Sequence, residues 1–173
     1  MDNFRDFEFM DPPPKQLMVK AMHELHVLGA IDKRMELTEL GKRMSMLPLE
    51  PQYAKMLLSS GDLGCSEEIL TVVAMLSVES IFYTPANARE DASRARGHLI
   101  STDGDHITYL LVYNEWVKHK RSGEWCKQTY VNSKSMQRVY DVRKQLKDYL
   151  AQVGVTDLTV LMSLTGVCTD VCC

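Results

Sequence analysis

Two groups of side chains are spaced closely enough in the sequence to hold a metal ion. His23 and His26 lie one turn apart if their segment is helical. No third ligand is near them, so two partly exposed helix residues are the favoured interpretation. The tail cysteines at 168, 172 and 173 would need a fourth ligand from elsewhere in the chain. We therefore predict no metal site.

The motifs of common enzyme active sites are missing from the sequence. It contains no GxxxxGK(S/T) phosphate loop, no GxGxxG, no GxSxG nucleophile turn and no HExxH metal motif. Asp103 and Asp105 are near neighbours, but they are interpreted as a turn residue and the N-cap of a helix. We therefore predict no catalytic residue and no cofactor site in this chain.

A few residues could instead contact a single-stranded nucleic acid. Ser66 is predicted to cap a helix whose free backbone N–H groups suit a phosphate, although two glutamates follow it. Tyr83, after Phe82, could stack on a base, but core packing is the commoner fate of such a pair. His106 could bond a phosphate or, more commonly, satisfy a helix end.

Charge is unevenly distributed along the chain. The formal net charge is −3, which argues against a freestanding nucleic-acid binder. Residues 118–147 nevertheless hold nine Lys or Arg, including Lys134, Arg138 and Lys144, against two acids. Such a block is a candidate polyanion surface, and a solvated helix face is the alternative.

The chain has 173 residues, of which 45% are hydrophobic and 25% are charged. This composition is that of an ordinary globular protein. Five cysteines at irregular spacing make a poor disulfide framework and favour a reducing compartment. We expect no signal peptide and no membrane contact, because the first ten residues lack an apolar run and no 18-residue apolar stretch exists.

The segment 64–85 organises the predicted fold. Its apolar residues point all round a helix at 66–78, which is typical of a buried core helix, and Pro85 follows the helix end. Apolar periodicity, caps and breakers predict a mainly α fold with a lead-in over 1–10, a small winged-helix-like domain over 11–51, a helical bundle over 52–153 and a tail over 154–173 that is a strand or disordered. The predicted helices span 15–28, 39–46, 52–60, 66–78, 86–100, a segment from 105 to the break at 122–123, and 133–153.

Several sequence blocks resemble the C-terminal accessory region of DEAH-box RNA helicases, in the family's order and spacing over about residues 4–153. The most specific blocks are FEFMDPPP (7–14), LTELGKRM (37–44), LPLEPQYAKML (47–57), GCSEEILTVVAMLSVESIFYTP (64–85), GDHITYLLVYNEW (104–116) and VRKQL (142–146). The resemblance implies a degenerate winged-helix and a helical-bundle "ratchet" domain, which closes one wall of a tunnel for single-stranded RNA. ATP and Mg²⁺ belong to two RecA-like motor domains upstream in the intact helicases. Because family members commonly carry Arg where this chain has Thr84, an RNA contact of that Arg does not transfer.

We therefore expect a non-catalytic accessory fragment that lines the RNA path and couples to the motor in splicing or ribosome assembly. The expected partners are single-stranded RNA, the RecA-like domains and a protein activator, and the expected location is the nucleus, with the cytoplasm as a further possibility. The alternative is a helical protein-interaction scaffold, a truncated product without RNA function. The candidate RNA-binding residues are Ser66, Tyr83, Thr84, His106, Lys134, Arg138 and Lys144.

Overall fold

A computed structural model describes residues 10–11 and 13–153. In that part of the chain the secondary structure is helical apart from isolated β-bridges, which confirms the predicted mainly α class. The chain divides into two compact units between Leu58 and Ser59. The helices are α1 (Lys15–Val27), α2 (Glu39–Ser45), α3 (Pro51–Ser59), α4 (Ser66–Leu76), α5 (Arg89–Arg96), α6 (Asp105–Lys118), α7 (Gly123–Gln128) and α8 (Ser133–Gln152).

The first unit contains α1, a tight turn, α2 and nearly all of α3. Gly29 ends α1 in the left-handed conformation, at φ 77°. A single antiparallel bridge then pairs Ile31 with Leu37. Thr38 caps α2 by accepting a hydrogen bond from the Gly41 N–H at 3.0 Å.

Gly41 lets α2 approach the backbone of the preceding turn. A Cβ built on Gly41 would lie 2.0 Å from the carbonyl oxygen of Ala30. Thr38 Oγ1 fixes the same turn by donating to the carbonyl oxygens of Gly29 and Ala30, at 2.7 and 3.1 Å. Only glycine fits at position 41, so the close packing of α2 on this turn depends on it.

The second unit is built around α4. Most of α4 is buried, including every residue from Ile69 to Met75, which confirms the core helix predicted from its all-round apolar sequence. α8 and α6 pack on it. α7 packs on α8 and places Trp125 and Cys126 in the core.

Several predicted boundaries were wrong. The N-cap of α4 is Cys65 rather than Ser66, and Gly104 rather than Asp105 precedes α6; neither cap uses a side chain. α5 is shorter than predicted at both ends, because residues 86–88 precede it and a turn at residues 97–99 follows it. α7 was not predicted, since six residues are too few to show helical periodicity. The expectations for residues 1–9 and for the tail from 154 lie outside the described residues.

Candidate nucleic-acid interface

The segment after α4 pairs with the segment before α8. An antiparallel bridge joins Phe82 to Val131, and the Tyr83 N–H donates to the Tyr130 carbonyl at 3.1 Å. The Asn132 N–H donates to the Ile81 carbonyl at 2.8 Å. This short ladder fixes where the two candidate RNA-binding segments lie relative to each other, a relation that sequence spacing did not reveal.

Tyr83 is at the surface of this ladder rather than in the core. Its side chain packs on Tyr130 with ring centroids 5.7 Å apart and the planes tilted by 53°, and 40% of Tyr83 is exposed. Tyr130 adopts a positive φ of 55°, which turns the chain toward α8. Tyr83, packed on the half-buried Tyr130, therefore forms an exposed aromatic edge of the type on which a base can stack.

Thr84, next in the chain, is held by an arginine from α5. Arg96 Nη2 donates to Thr84 Oγ1 at 2.8 Å, and the same guanidinium lies over the Phe82 ring, 5.0 Å from its centroid. The sequence suggested no partner for Thr84, because the two residues are twelve positions apart on different elements. A guanidinium from α5 therefore lies beside Thr84, although residue 84 is not itself an arginine.

The N-terminus of α8 carries two exposed cations on one face. Asn132 caps the helix through its side-chain oxygen, which accepts from the Lys134 and Ser135 N–H groups at 3.0 and 3.3 Å. The first turn has no acidic residue. Lys134 and Arg138 lie one turn apart and are both exposed. Positive charge and the helix dipole therefore coincide at this end of α8.

The start of α8 is also near the aromatic edge. Ser135 Oγ donates to the Ser80 carbonyl at 3.4 Å, and Ser80 is three residues from Tyr83, about 10 Å of extended chain. We call Tyr83, Thr84, Tyr130, Lys134 and Arg138 the ladder surface.

The other candidates do not all join the ladder surface. Lys144 is exposed, but ten residues after Lys134 it lies about 80° around the helix axis. His106 is half-buried in the first turn of α6 and belongs to neither paired segment. Ser66 was a wrong choice for a surface contact, since it is completely buried and its hydroxyl has no hydrogen-bond partner. The burial of α4 therefore extends to its first residue.

Part of the basic block is structural. Arg143 pairs with Glu67 on α4, donates from Nε to Thr71 Oγ1 at 2.9 Å and lies over the ring of Tyr113 on α6. Lys147 Nζ also pairs with Glu67 at 2.8 Å. Burial alone would raise the pKa of Glu67, but the Lys147 hydrogen bond and the Arg143 charge together lower it. These two cations therefore join α8 to α4.

A second basic region occupies the turn between α6 and α7. Lys120 and Arg121 both adopt positive φ, at 53° and 58°, and Arg121 lies over the Tyr140 ring at 4.6 Å. An open depression of about 360 Å³ is lined here by residues that include Lys118, His119 and Trp125. Lys118 is paired with Glu115 at 2.6 Å. The free charge of this turn is therefore smaller than its sequence indicates.

The metal alternatives find no support in the described residues. His26 Nδ1 lies 3.1 Å from the Ile31 carbonyl, which is a local link between α1 and the following turn. Within residues 13–153 no three His, Cys, Asp or Glu side chains are grouped so as to hold a metal ion. The tail cysteines lie outside this range. No helix in the described part of the chain is long and apolar enough to cross a bilayer.

Comparison with known families finds two matches, which adjoin between residues 49 and 50. The winged-helix part of the helicase-associated domain (HA2) matches residues 21–49, and the ratchet-like part of the same domain matches residues 50–109. The chain belongs to the helicase-associated family. This confirms the resemblance to the C-terminal region of DEAH-box RNA helicases that the sequence blocks indicated.

Individual relatives agree with the family match. The chain is 43% identical over 156 residues to the probable ATP-dependent RNA helicase DHX35 of Homo sapiens, covering 90% of this chain and 22% of that protein. It is 42% identical over 146 residues to the pre-mRNA-splicing factor ATP-dependent RNA helicase prp22 of Schizosaccharomyces pombe, covering 84% of this chain and 12% of that protein. It is 41% identical to the pre-mRNA-splicing factor ATP-dependent RNA helicase DEAH10 of Arabidopsis thaliana, covering 89% and 24%. The chain thus spans less than a quarter of the length of these relatives.

Proposed function

We propose that this chain is the accessory region of an ATP-dependent RNA helicase and that its ladder surface contacts single-stranded RNA. The observation that carries the proposal is the juxtaposition of an exposed aromatic edge with the cationic N-terminus of α8. Stacking on aromatic rings and cations that follow the phosphate backbone are the two contacts that single strands use without sequence readout. Because only a few cations are needed, the net charge of −3 is no obstacle.

ATP hydrolysis with Mg²⁺ is assigned in this proposal to RecA-like motor domains of the whole helicase. The accessory region supplies a wall against which the motor moves the strand. We expect the isolated chain neither to hydrolyse ATP nor to unwind a duplex. ATP turnover that persists through rigorous purification would contradict the assignment of hydrolysis to the motor domains.

The first unit supports docking on another protein surface. α1 has no buried residue, and Leu17, Val19 and Val27 are each more than half exposed. Leu17 and Val19 lie on opposite faces of α1, so these residues offer separate apolar contacts to a partner rather than one continuous face. We propose that this partner is the motor.

Two relatives are named as pre-mRNA-splicing factors. Their names support a role in RNA processing in the nucleus. We propose splicing over ribosome assembly on this ground.

The second candidate function is a protein-interaction scaffold, which the exposed apolar residues of α1 also favour. RNA affinity separates the two. We would titrate a fluorescent oligouridine of about 20 nucleotides at about 50 and about 200 mM KCl. The proposal predicts weak binding that falls with salt, and the scaffold predicts no binding at either salt concentration.

The double variant Lys134→Gln/Arg138→Gln tests the site itself. It removes two backbone contacts, so the slope of log affinity against log salt should decrease by about 1.4. The matched control is Lys20→Gln/Lys42→Gln, which removes the same charge from lysines paired on their own helices in the first unit. Equal effects of the two double variants would refute the assignment of RNA binding to the ladder surface.

A further inference from the structure

Arg96 is fixed in one orientation at the edge of the ladder surface. Its Nε donates to the Ala92 carbonyl at 3.0 Å, and its Nη2 donates to Thr84 Oγ1 at 2.8 Å. The guanidinium lies over the Phe82 ring at 5.0 Å. Three contacts of different kinds, to α5, to Thr84 and to an aromatic face, hold the group still.

This arrangement leaves much of the guanidinium free to bind. A guanidinium has five N–H donors, and the contacts to Ala92 and Thr84 use two of them, which leaves three. Neither of the two acceptors is charged, and no ion pair involving Arg96 occurs among the described residues. The positive charge is therefore available to an anion, in a planar fork that suits phosphate oxygens.

Arg94, on the same helix, provides a contrast. Its guanidinium is paired with Asp91 at 3.8 Å and is 79% exposed. Two residues along a helix correspond to a rotation of about 200°, so Arg94 and Arg96 project from different faces. Only Arg96 contacts the segment that carries Tyr83.

We infer that Arg96 binds a phosphate of the single strand next to the nucleotide that stacks on Tyr83. The inference rests on the proposed function, because it requires RNA at the ladder surface. The contacts to Phe82 and Thr84 orient the guanidinium before binding, so little rotamer entropy is lost when the phosphate arrives. A purely structural role would make Arg96 a brace for the turn, in which case its charge would not affect RNA affinity.

Three variants distinguish an Arg96 that binds RNA from an Arg96 that only stabilises the turn. Arg96→Gln removes the charge, Arg96→Lys keeps the charge without the fork, and Arg94→Gln removes an equal charge from the opposite face of the same helix. Each would be titrated with the oligouridine described above, at the same two salt concentrations. Thermal unfolding followed by circular dichroism shows that each variant is folded.

We expect Arg96→Gln to weaken binding about fivefold at low salt and to reduce the salt slope by about 0.7, the value for one phosphate on a single strand. Arg96→Lys should keep the wild-type salt slope with an intermediate affinity. Arg94→Gln should change RNA affinity less than twofold, because the effect of a peripheral charge is screened by salt.

The inference and the proposed function fail in different ways. If the wild type binds and Lys134→Gln/Arg138→Gln weakens it while Arg96→Gln matches Arg94→Gln, Arg96 is only a brace and the inference is overturned. If Arg96→Lys loses salt slope as Arg96→Gln does, the charge is not what contacts the strand, and the inference is again overturned. If the wild type binds no RNA at either salt concentration, the proposed function fails and this inference fails with it.

Discussion

Replacing Arg143 with methionine should destabilise the second unit through loss of one partly buried ion pair. Arg143 reaches from α8 to Glu67 and Thr71 on α4 and lies over Tyr113 on α6, so it links α8 to two other packed helices. Methionine retains much of the aliphatic volume and removes the charge and the hydrogen bonds.

The expected cost follows from the burial of the pair. The side chains of Arg143 and Glu67 are 20% and 18% exposed, between a surface pair worth about 0–1 kcal/mol and a buried one whose disruption costs about 3–5 kcal/mol. Lys147 stays 2.8 Å from Glu67 and keeps its carboxylate partly compensated. We therefore expect a loss of about 2 kcal/mol in the free energy of unfolding near pH 7.

The loss should depend on pH in a defined direction. The pKa of Glu67 is lowered in the folded protein below its reference value of 4.5. A depressed carboxyl pKa contributes stability above the unfolded pKa, and that stability is lost as pH falls through the folded pKa. The difference between wild type and Arg143→Met should therefore be largest at neutral pH and should shrink below about pH 4.

Urea unfolding followed by the fluorescence of Trp116 and Trp125 measures both effects, since both tryptophans are buried in this unit. Lys144→Met is the matched control, because it removes the adjacent, exposed charge of the same helix and should change stability by less than about 0.5 kcal/mol. A double-mutant cycle with Glu67→Gln should give a coupling of about 1 kcal/mol or more. Equal stability of Arg143→Met and Lys144→Met, or a difference that does not vary with pH, would refute the reasoning.

Two further predictions concern local structure. Gly41→Ala should destabilise the first unit by about 2 kcal/mol or more, because its Cβ would meet the Ala30 carbonyl. Gly123→Ala, whose Cβ would have nothing within 4 Å, should be nearly neutral. A decrease in melting temperature for the Gly123 variant as large as that for the Gly41 variant would contradict this. Asn132→Ala should lower the free energy of unfolding by about 1 kcal/mol through loss of the α8 cap, and Asn132→Ser should restore most of this stability. Hydrogen exchange at the Lys134 and Ser135 amides tests this. Unchanged protection of these amides in the alanine variant would contradict it.

Much of the fold could be predicted from local sequence, for identifiable reasons. The all-round apolar pattern of α4, the stop at Gly29 and the cap at Thr38 are each determined by a few neighbouring residues. The caps at Ser66 and Asp105 were wrong because a serine or aspartate near a helix start is common whether or not it caps. In α4 Ser66 is completely buried and its hydroxyl has no hydrogen-bond partner.

The site was predicted less completely, because charge along a sequence does not show which cations are paired. Arg143 and Lys144 are adjacent and chemically similar, yet one reaches a carboxylate 76 residues earlier and the other is exposed. Likewise, the sequence suggested Tyr83 and Lys134 but not Arg96, whose role depends on a turn twelve residues away.

The sequence by itself determined the family, the mainly α class and the identity of the core helix. These depend on short patterns whose meaning is set by helix periodicity and by the rarity of the shared blocks. The tertiary structure decided which polar residues are available to a ligand. It buried Ser66, paired Arg143 with Glu67 and brought Tyr83, Arg96 and the start of α8 together through a short ladder. Whether a polar side chain can bind a ligand depends on its burial and on partners distant in the chain, and the local spacing of residues determines neither.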